Sequence, residues 1–64
     1  MKNSLRKLRQ AKGLSQQKLG DILGVSRQTI NSVENGKFDP SLTLAIKLTK
    51  FFEKPIDSIF EHEG

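Results

Sequence analysis

Shortness limits this chain more than any other feature of its sequence. The chain has 64 residues and no cysteine, so one small domain is the most that it can form. A folded chain of this length buries only about 60% of the surface that its unfolded form exposes, and its stability is marginal. Since disulfides and thiolate metal sites are excluded, a second subunit is the remaining source of added stability. We therefore expect one domain over residues 1–64 that associates as a homodimer.

Several functional classes lack support in the sequence. Residues 1–10 contain no apolar signal-peptide core, and no run approaches the ~18 apolar residues of a membrane span. The single histidine, His62, lies in a polar tail, and there is no cysteine with which it could form a metal site. No nucleophile–base set or glycine-rich phosphate loop is evident. We therefore expect a cytoplasmic protein with no membrane association, enzymatic activity, metal, cofactor or small-molecule ligand.

Positive charge is concentrated in the amino-terminal half. Residues 1–32 contain seven lysines and arginines against one aspartate, which sums to +6, whereas residues 33–64 contain four against six acidic residues, which sums to −2. A lysine-rich surface is common in small soluble domains. A one-sided distribution also suits a surface that binds a polyanion, and charge alone does not decide between the two interpretations.

Apolar spacing and stop signals predict helices throughout the chain. Gly13, Gly24, Gly36 and Pro55 end the periodic segments, and a serine precedes three of them as a candidate N-cap. The first predicted helix covers residues 4–12, and the second covers about nine residues that begin after Ser15. The third runs from Ser26 to Asn35, and the fourth is capped by Ser41 or Asp39. A short turn follows over residues 56–60.

The second and third predicted helices form a recognisable unit. Gly20 lies in mid-helix, where glycine costs roughly 1 kcal/mol relative to alanine, so it indicates a contact too close for a larger side chain. Only Gly24 and Val25 separate the two helices. Two short helices joined by so tight a turn predict a helix-turn-helix over QQKLGDILGVSRQTINSVE, residues 16–34.

The third predicted helix has an unusual polar face. Ile30 and Val33 lie on one side and must face the core, while the opposite side carries side chains within an arc of about 140°. Arginine can bond guanine bidentately, glutamine or asparagine can bond adenine, and serine can bond several base edges. We therefore predict that this face reads base edges, through Arg27, Gln28, Asn31 and Ser32.

The pattern VSRQTI..VENGK..PSL, residues 25–42, followed by PIDSIF, resembles the Cro/repressor-type (XRE-type) helix-turn-helix regulators of bacteria and phages. The chain is similar to their small single-domain form, and in particular to the cytolysin repressor group. This resemblance covers nearly the whole chain. It implies an all-α, compact five-helix, lambda-repressor-like domain that regulates transcription by binding double-stranded DNA.

The resemblance also implies roles for individual residues. The four predicted base-reading residues match base-reading positions of the family. Arg9 and Glu34 match a partly buried ion pair that ties the first helix to the third. Contacts to DNA phosphates are implied for Gln16, Gln17, Asn35, Lys37 and Phe38.

The carboxyl-terminal half carries more apolar bulk than one short helix pair needs. The surplus predicts a dimer interface, with Phe52, Ile56, Ile59 and Phe60 as candidates. The leading interpretation is a homodimeric repressor of an inverted-repeat operator. Two alternatives remain open: an antitoxin-like module that binds another protein, and an activator on the same scaffold.

Overall fold

The computed structural model of the protein describes residues 1–61, in which five α-helices surround one core. The only other regular pairing in this part of the chain is an isolated antiparallel bridge between Asn3 and Phe60. The helices are α1 (Leu5–Ala11), α2 (Gln16–Leu23), α3 (Arg27–Glu34), α4 (Leu42–Phe52) and α5 (Ile56–Ile59).

Three of the helices begin at serine caps, of which two are predicted from the sequence and the third, Ser41, is one of the two candidates for its helix. The hydroxyls of Ser15, Ser26 and Ser41 accept the backbone N–H groups of Lys18, Thr29 and Leu44 at 3.0–3.1 Å. Each cap satisfies one N–H group that the first helical turn leaves without an internal acceptor. The hydroxyl caps therefore fix where α2, α3 and α4 start.

The core is built from one apolar stripe of each helix. Leu5, Leu19, Ile30 and Leu48 are fully buried and represent α1 to α4. The remaining buried apolar residues are Leu23, Val33, Leu44, Phe52, Ile59 and Phe60.

Part of the predicted core differs from the structure. Ile22 is 46% exposed, although its spacing from Leu19 suggested that it faces inward. Because α2 also buries Gly20, the middle of its buried face is rotated about 110° away from Ile22 at 100° per residue. The apolar spacing of α4 likewise predicts that Ala45 and Phe51 face inward with Leu44 and Leu48, whereas both are half-buried.

The two ends of the described chain pair with each other. Ser4 N–H donates to the carbonyl of Ile59, and Glu61 N–H donates to the carbonyl of Lys2, both at 2.8 Å. The side-chain amide of Asn3 donates to the carbonyl of Val33 at 2.8 Å, which attaches this pairing to α3. The predicted polar tail continues into residues 62–64, and these, with His62, lie outside the described residues.

No helix within residues 1–61 is long and apolar enough to cross a membrane. The same residues contain no group of three or more histidine, aspartate or glutamate side chains that could hold a metal ion.

Candidate nucleic-acid interface

A tight turn sets the angle between α2 and α3. Gly24 adopts a left-handed conformation with φ of 75°, and the N–H of Val25 donates to the carbonyl of Gly20 at 2.9 Å. A Cβ atom on Gly20 would lie 2.6 Å from the carbonyl oxygen of Val25, far inside van der Waals contact. The close contact predicted from Gly20 is confirmed, and it joins the two helices into one closely packed unit.

Lys47 supports this unit from α4. Its Nζ donates to the carbonyl of Leu23 at 3.0 Å, at the end of α2 where the helix dipole attracts a cation. Its spacing in the sequence carries no signal of this contact, because the contact depends on how α4 crosses the end of α2.

The polar face predicted on α3 lies at the surface. Arg27 and Gln28 are exposed in the first turn of the helix, while Asn31 and Ser32, one turn further, are half-buried. Ile30 and Val33, on the other side, are buried. The helix thus presents an arginine, two amides and a hydroxyl to one side.

Asn31 also links α3 to the start of α2. Its Oδ1 accepts the side-chain amides of Gln16 at 3.2 Å and Asn35 at 3.3 Å. The Gln16 amide donates in addition to Oε1 of Glu34 at 3.1 Å. Because the Gln16 donors and the Asn31 acceptor are engaged in this network, the Asn31 amide N–H groups are the part of that side chain left to bond an external acceptor.

Glu34 is the centre of the polar network between α1, α2 and α3. Its side chain is fully buried, and Arg9 Nε donates to Oε2 at 2.7 Å. Arg6 Nε donates to Oε1 at 3.2 Å, and Arg6 also bonds Asn35 Oδ1 at 2.6 Å. The structure thus brings Arg9 and Glu34 together and adds Arg6, whose spacing three residues before Arg9 on α1 could have indicated a shared partner.

Burial and hydrogen bonding act in opposite directions on Glu34. Burial alone would raise the pKa of its carboxyl, but the hydrogen bonds from Arg9, Gln16 and Arg6 favour the ionised form. The balance holds the pKa of Glu34 below its ordinary value. The carboxylate is therefore charged in the folded protein at neutral pH, and it fixes the two arginines in place.

The remaining predicted DNA contacts lie in the loop after α3 and at the start of α2. Lys37 and Phe38 are exposed, and Lys37 N–H donates to the carbonyl of Ser32 at 3.0 Å, which holds the loop against α3. Gln17, at the start of α2, is exposed and donates to Asp21 Oδ1 at 2.9 Å. The predicted phosphate-contacting residues therefore flank the polar face of α3, at the start of α2 and after the end of α3.

The structure corrects the set of dimer-interface candidates. Phe52, Ile59 and Phe60 are 1–7% exposed, because they fill the core of this one chain and have little surface left for a partner. Only Ile56 among the four candidates is exposed, at 48%. It lines an apolar groove between α4 and α5 together with Leu42 and Ile46.

A hydroxyl-capped helix, a left-handed glycine turn and a second helix with an exposed polar face define a helix-turn-helix motif. The helix-turn-helix family model matches residues 5–59, and the chain belongs to this XRE-type family of DNA-binding transcriptional regulators. The family and the all-α five-helix fold predicted from the sequence are thereby confirmed.

Similar proteins come from archaea and bacteria. An uncharacterized HTH-type transcriptional regulator of Methanocaldococcus jannaschii is 52% identical over 63 residues, which cover 98% of this chain and 96% of that protein. One of Bacillus subtilis is 45% identical and covers 94% of this chain and 91% of its own length. The crystal structure of the restriction-modification controller protein C.AhdI from Aeromonas hydrophila matches with a TM-score of 0.75 and 38% identity, over 88% of this chain and 85% of that one.

Proposed function

We propose that this protein is a sequence-specific repressor that binds an inverted-repeat operator as a homodimer, with α3 in the major groove. One observation carries the proposal. The solvent-facing side of α3 carries residue types that bond base edges: Arg27 and Gln28, which are exposed, and Asn31 and Ser32, which are half-buried. The helix packs closely against α2 at Gly20. In a dimer, the two copies of α3 would enter major grooves one helical turn apart, roughly 34 Å. Repression would follow from occlusion of RNA polymerase, in the cytoplasm where the DNA lies.

Phosphate contacts would orient the helix in the groove. The Ser15 cap satisfies Lys18 N–H, which leaves the first N–H groups of α2, on Gln16 and Gln17, for an acceptor outside the helix. Such N–H groups favour a phosphate, and the helix dipole adds to the attraction. On the other side of α3, Asn35, Lys37 and the loop at Phe38 would contact the sugar-phosphate chain. We infer that the two flanks position α3 and that α3 supplies the base choice.

Selection of protein-bound duplexes from a randomised DNA pool tests the proposal. The selected duplexes are then titrated with the protein by fluorescence anisotropy at several salt concentrations. We expect an inverted repeat that is preferred over random DNA by about a thousandfold or more at physiological salt. Salt is varied because non-specific binding to phosphates falls steeply with ionic strength. Binding that enriches no motif and fades as salt rises would contradict sequence-specific regulation.

Arg27 is expected to contribute base choice. Arg27→Ala should weaken binding to the selected operator by about 1 to 3 kcal/mol and relax the preference at one base pair, because a bidentate contact to guanine is lost. Anisotropy titrations on the operator and on single-base variants measure both effects.

Arg27→Lys is the matched control, because it keeps the charge and removes the bidentate geometry. It should retain binding to random DNA and lose part of the preference at the same base pair. An equal loss for Arg27→Ala on operator and random DNA would mean that Arg27 contacts phosphate only.

The dimer would use the apolar groove between α4 and α5. Leu42 is 77% exposed, and Ile46 and Ile56 are 45% and 48% exposed. These three side chains, with Ala45, line one groove, and contiguous exposed apolar surface of this kind is typical of a protein interface. A second copy is the simplest occupant, since an inverted-repeat operator presents two identical half-sites.

A charge placed in this groove is expected to separate the dimer. Ile46→Glu should convert dimer to monomer in sedimentation analysis, because an unpaired carboxylate cannot be buried without a large cost. Ile22→Glu is the matched control: Ile22 is 46% exposed and lies on α2, outside the groove. A wild-type protein that is monomeric at every concentration would contradict the homodimer and leave the groove to another protein, as in an antitoxin-like module.

A further inference from the structure

Phe38 is an aromatic side chain that the fold leaves exposed to solvent. All four phenylalanines of the chain are in its described part. Phe52 and Phe60 are buried and Phe51 is half-buried, whereas Phe38 is 51% exposed. Leaving a large apolar side chain in water forgoes the stabilisation that its burial would give. The ring lies in the loop directly after α3, beside the face that we propose contacts DNA.

Phe38 and the exposed face of α3 line the same groove. This groove has a volume of about 250 Å³ and is lined by Phe38, Ser26, Gln28, Thr29 and Ser32. Enclosed sites for small molecules are commonly larger, roughly 300–1,000 Å³. A side group of a larger partner is therefore a better fit for the groove than a free ligand.

Two of the polar residues in the groove bond each other. The hydroxyls of Ser26 and Thr29 are 2.9 Å apart, and Ser26 Oγ also accepts Thr29 N–H at 3.1 Å. These contacts use the Ser26 oxygen and one of the two hydroxyl hydrogens at the start of α3. The groove combines an apolar wall, formed by the Phe38 ring, with the side chains of Gln28 and Ser32, whose polar groups can bond base edges.

We propose that Phe38 reads a thymine of the operator by contacting its C5-methyl group, an inference that rests on the proposed function. Thymine is the only one of the four bases that presents a methyl group in the major groove, and apolar side chains contact it there. An A·T pair would suit the whole groove, because the amide of Gln28 can bond adenine while the ring of Phe38 covers the methyl group of the paired or neighbouring thymine. Phe38 thereby sets base preference as well as lying near the phosphates.

Removal of single methyl groups tests this role. Each thymine in one half-site of the selected operator is replaced in turn by deoxyuridine, which removes the methyl group and keeps base pairing. At one of these positions the wild-type protein is expected to lose about threefold to tenfold in affinity, as the burial of one methyl group implies. Phe38→Ala should lose a similar factor on the unmodified operator and nothing further at that position.

Two variants serve as controls. Phe38→Leu keeps an apolar side chain and should retain part of the response to the methyl group. Ile22→Ala removes another exposed apolar side chain, which lies outside the groove, and should respond as the wild type does. Circular dichroism of each variant checks that the fold is intact, as expected for half-exposed side chains.

The outcomes separate this inference from the function on which it rests. Methyl removal that costs wild type and Phe38→Ala the same factor at every thymine would overturn it. So would a uniform loss for Phe38→Ala on operator, deoxyuridine-substituted operator and random DNA, which would indicate packing on the sugar-phosphate chain. If the selection recovers no operator, the proposed function fails and the inference falls with it, a result recognised before any deoxyuridine is introduced.

Discussion

Glu34→Gln is expected to lower the free energy of unfolding by about 3 kcal/mol, as the breaking of a buried ion pair does. A domain of this size has a total stability of only about 3 to 10 kcal/mol, so the loss is severe. The carboxylate accepts hydrogen bonds from Arg6, Arg9 and Gln16. A glutamine would turn an N–H₂ donor toward these donors and leave Arg9, only 9% exposed, without a counter-charge. Urea unfolding followed by circular dichroism measures the change.

The control and the pH dependence make this prediction specific. Glu53→Gln changes an exposed carboxylate and should alter stability by no more than about 0.5 kcal/mol. Because the pKa of Glu34 is lowered in the folded protein, its contribution is present above the ordinary pKa of a glutamate, about 4.5, and is lost as pH falls below that value. Glu34→Gln should therefore flatten the acid limb of the stability curve, and an unchanged limb would contradict the assignment.

Gly20→Ala is expected to destabilise the protein by about 1 to 3 kcal/mol, as overpacking of a close contact does. Helix propensity acts in the opposite direction, since alanine is better than glycine in a helix by roughly 1 kcal/mol. The clash should prevail because the added Cβ would lie 2.6 Å from the carbonyl oxygen of Val25, and a backbone atom in a tight turn cannot rotate away. The melting temperature should fall by roughly 4 to 8 °C for each kcal/mol lost.

The sign of the change in melting temperature tests whether the close contact at Gly20 outweighs helix propensity. Lys18→Ala introduces alanine at an exposed position of the same helix and should leave the melting temperature nearly unchanged. A rise in melting temperature for Gly20→Ala would mean that helix propensity prevails and that the two helices are free to move apart. The variant should also lose operator affinity before it loses affinity for random DNA, because the angle of α3 to α2 determines which base edges it reaches.

Local signals made most of the fold predictable from the sequence. Ser15 and Ser26 cap the helices that their positions predict, and of the two candidates for α4 the cap is Ser41 rather than Asp39. A cap depends only on residues within one turn. The contact at Gly20 was also foreseeable, since a glycine in mid-helix weakens the helix and commonly marks a close approach of another backbone segment. These features concern neighbours in sequence, where residue type and spacing determine geometry.

Contacts between distant residues were less predictable. The surplus of apolar residues in the carboxyl-terminal half was expected to form a dimer interface, yet Phe52, Ile59 and Phe60 fill the core of their own chain. The composition gives the number of apolar side chains, but it does not show how many of them are buried in the core of a single chain. The bonds from Gln16 to Asn31 and Glu34 likewise depend on the angle at which two helices cross. The sequence therefore indicated which face of α3 is exposed, but not that Asn31 is partly committed within the protein.

The bridge between Asn3 and Phe60 makes the described chain nearly a closed ring. Residues 2–4 and 59–61 therefore lie side by side, and the amide of Asn3 attaches them to Val33 on α3. A domain fused before Met1 would emerge beside the loop that follows α3, because the nitrogen of Met1 donates to the carbonyl of Gly36 at 3.2 Å.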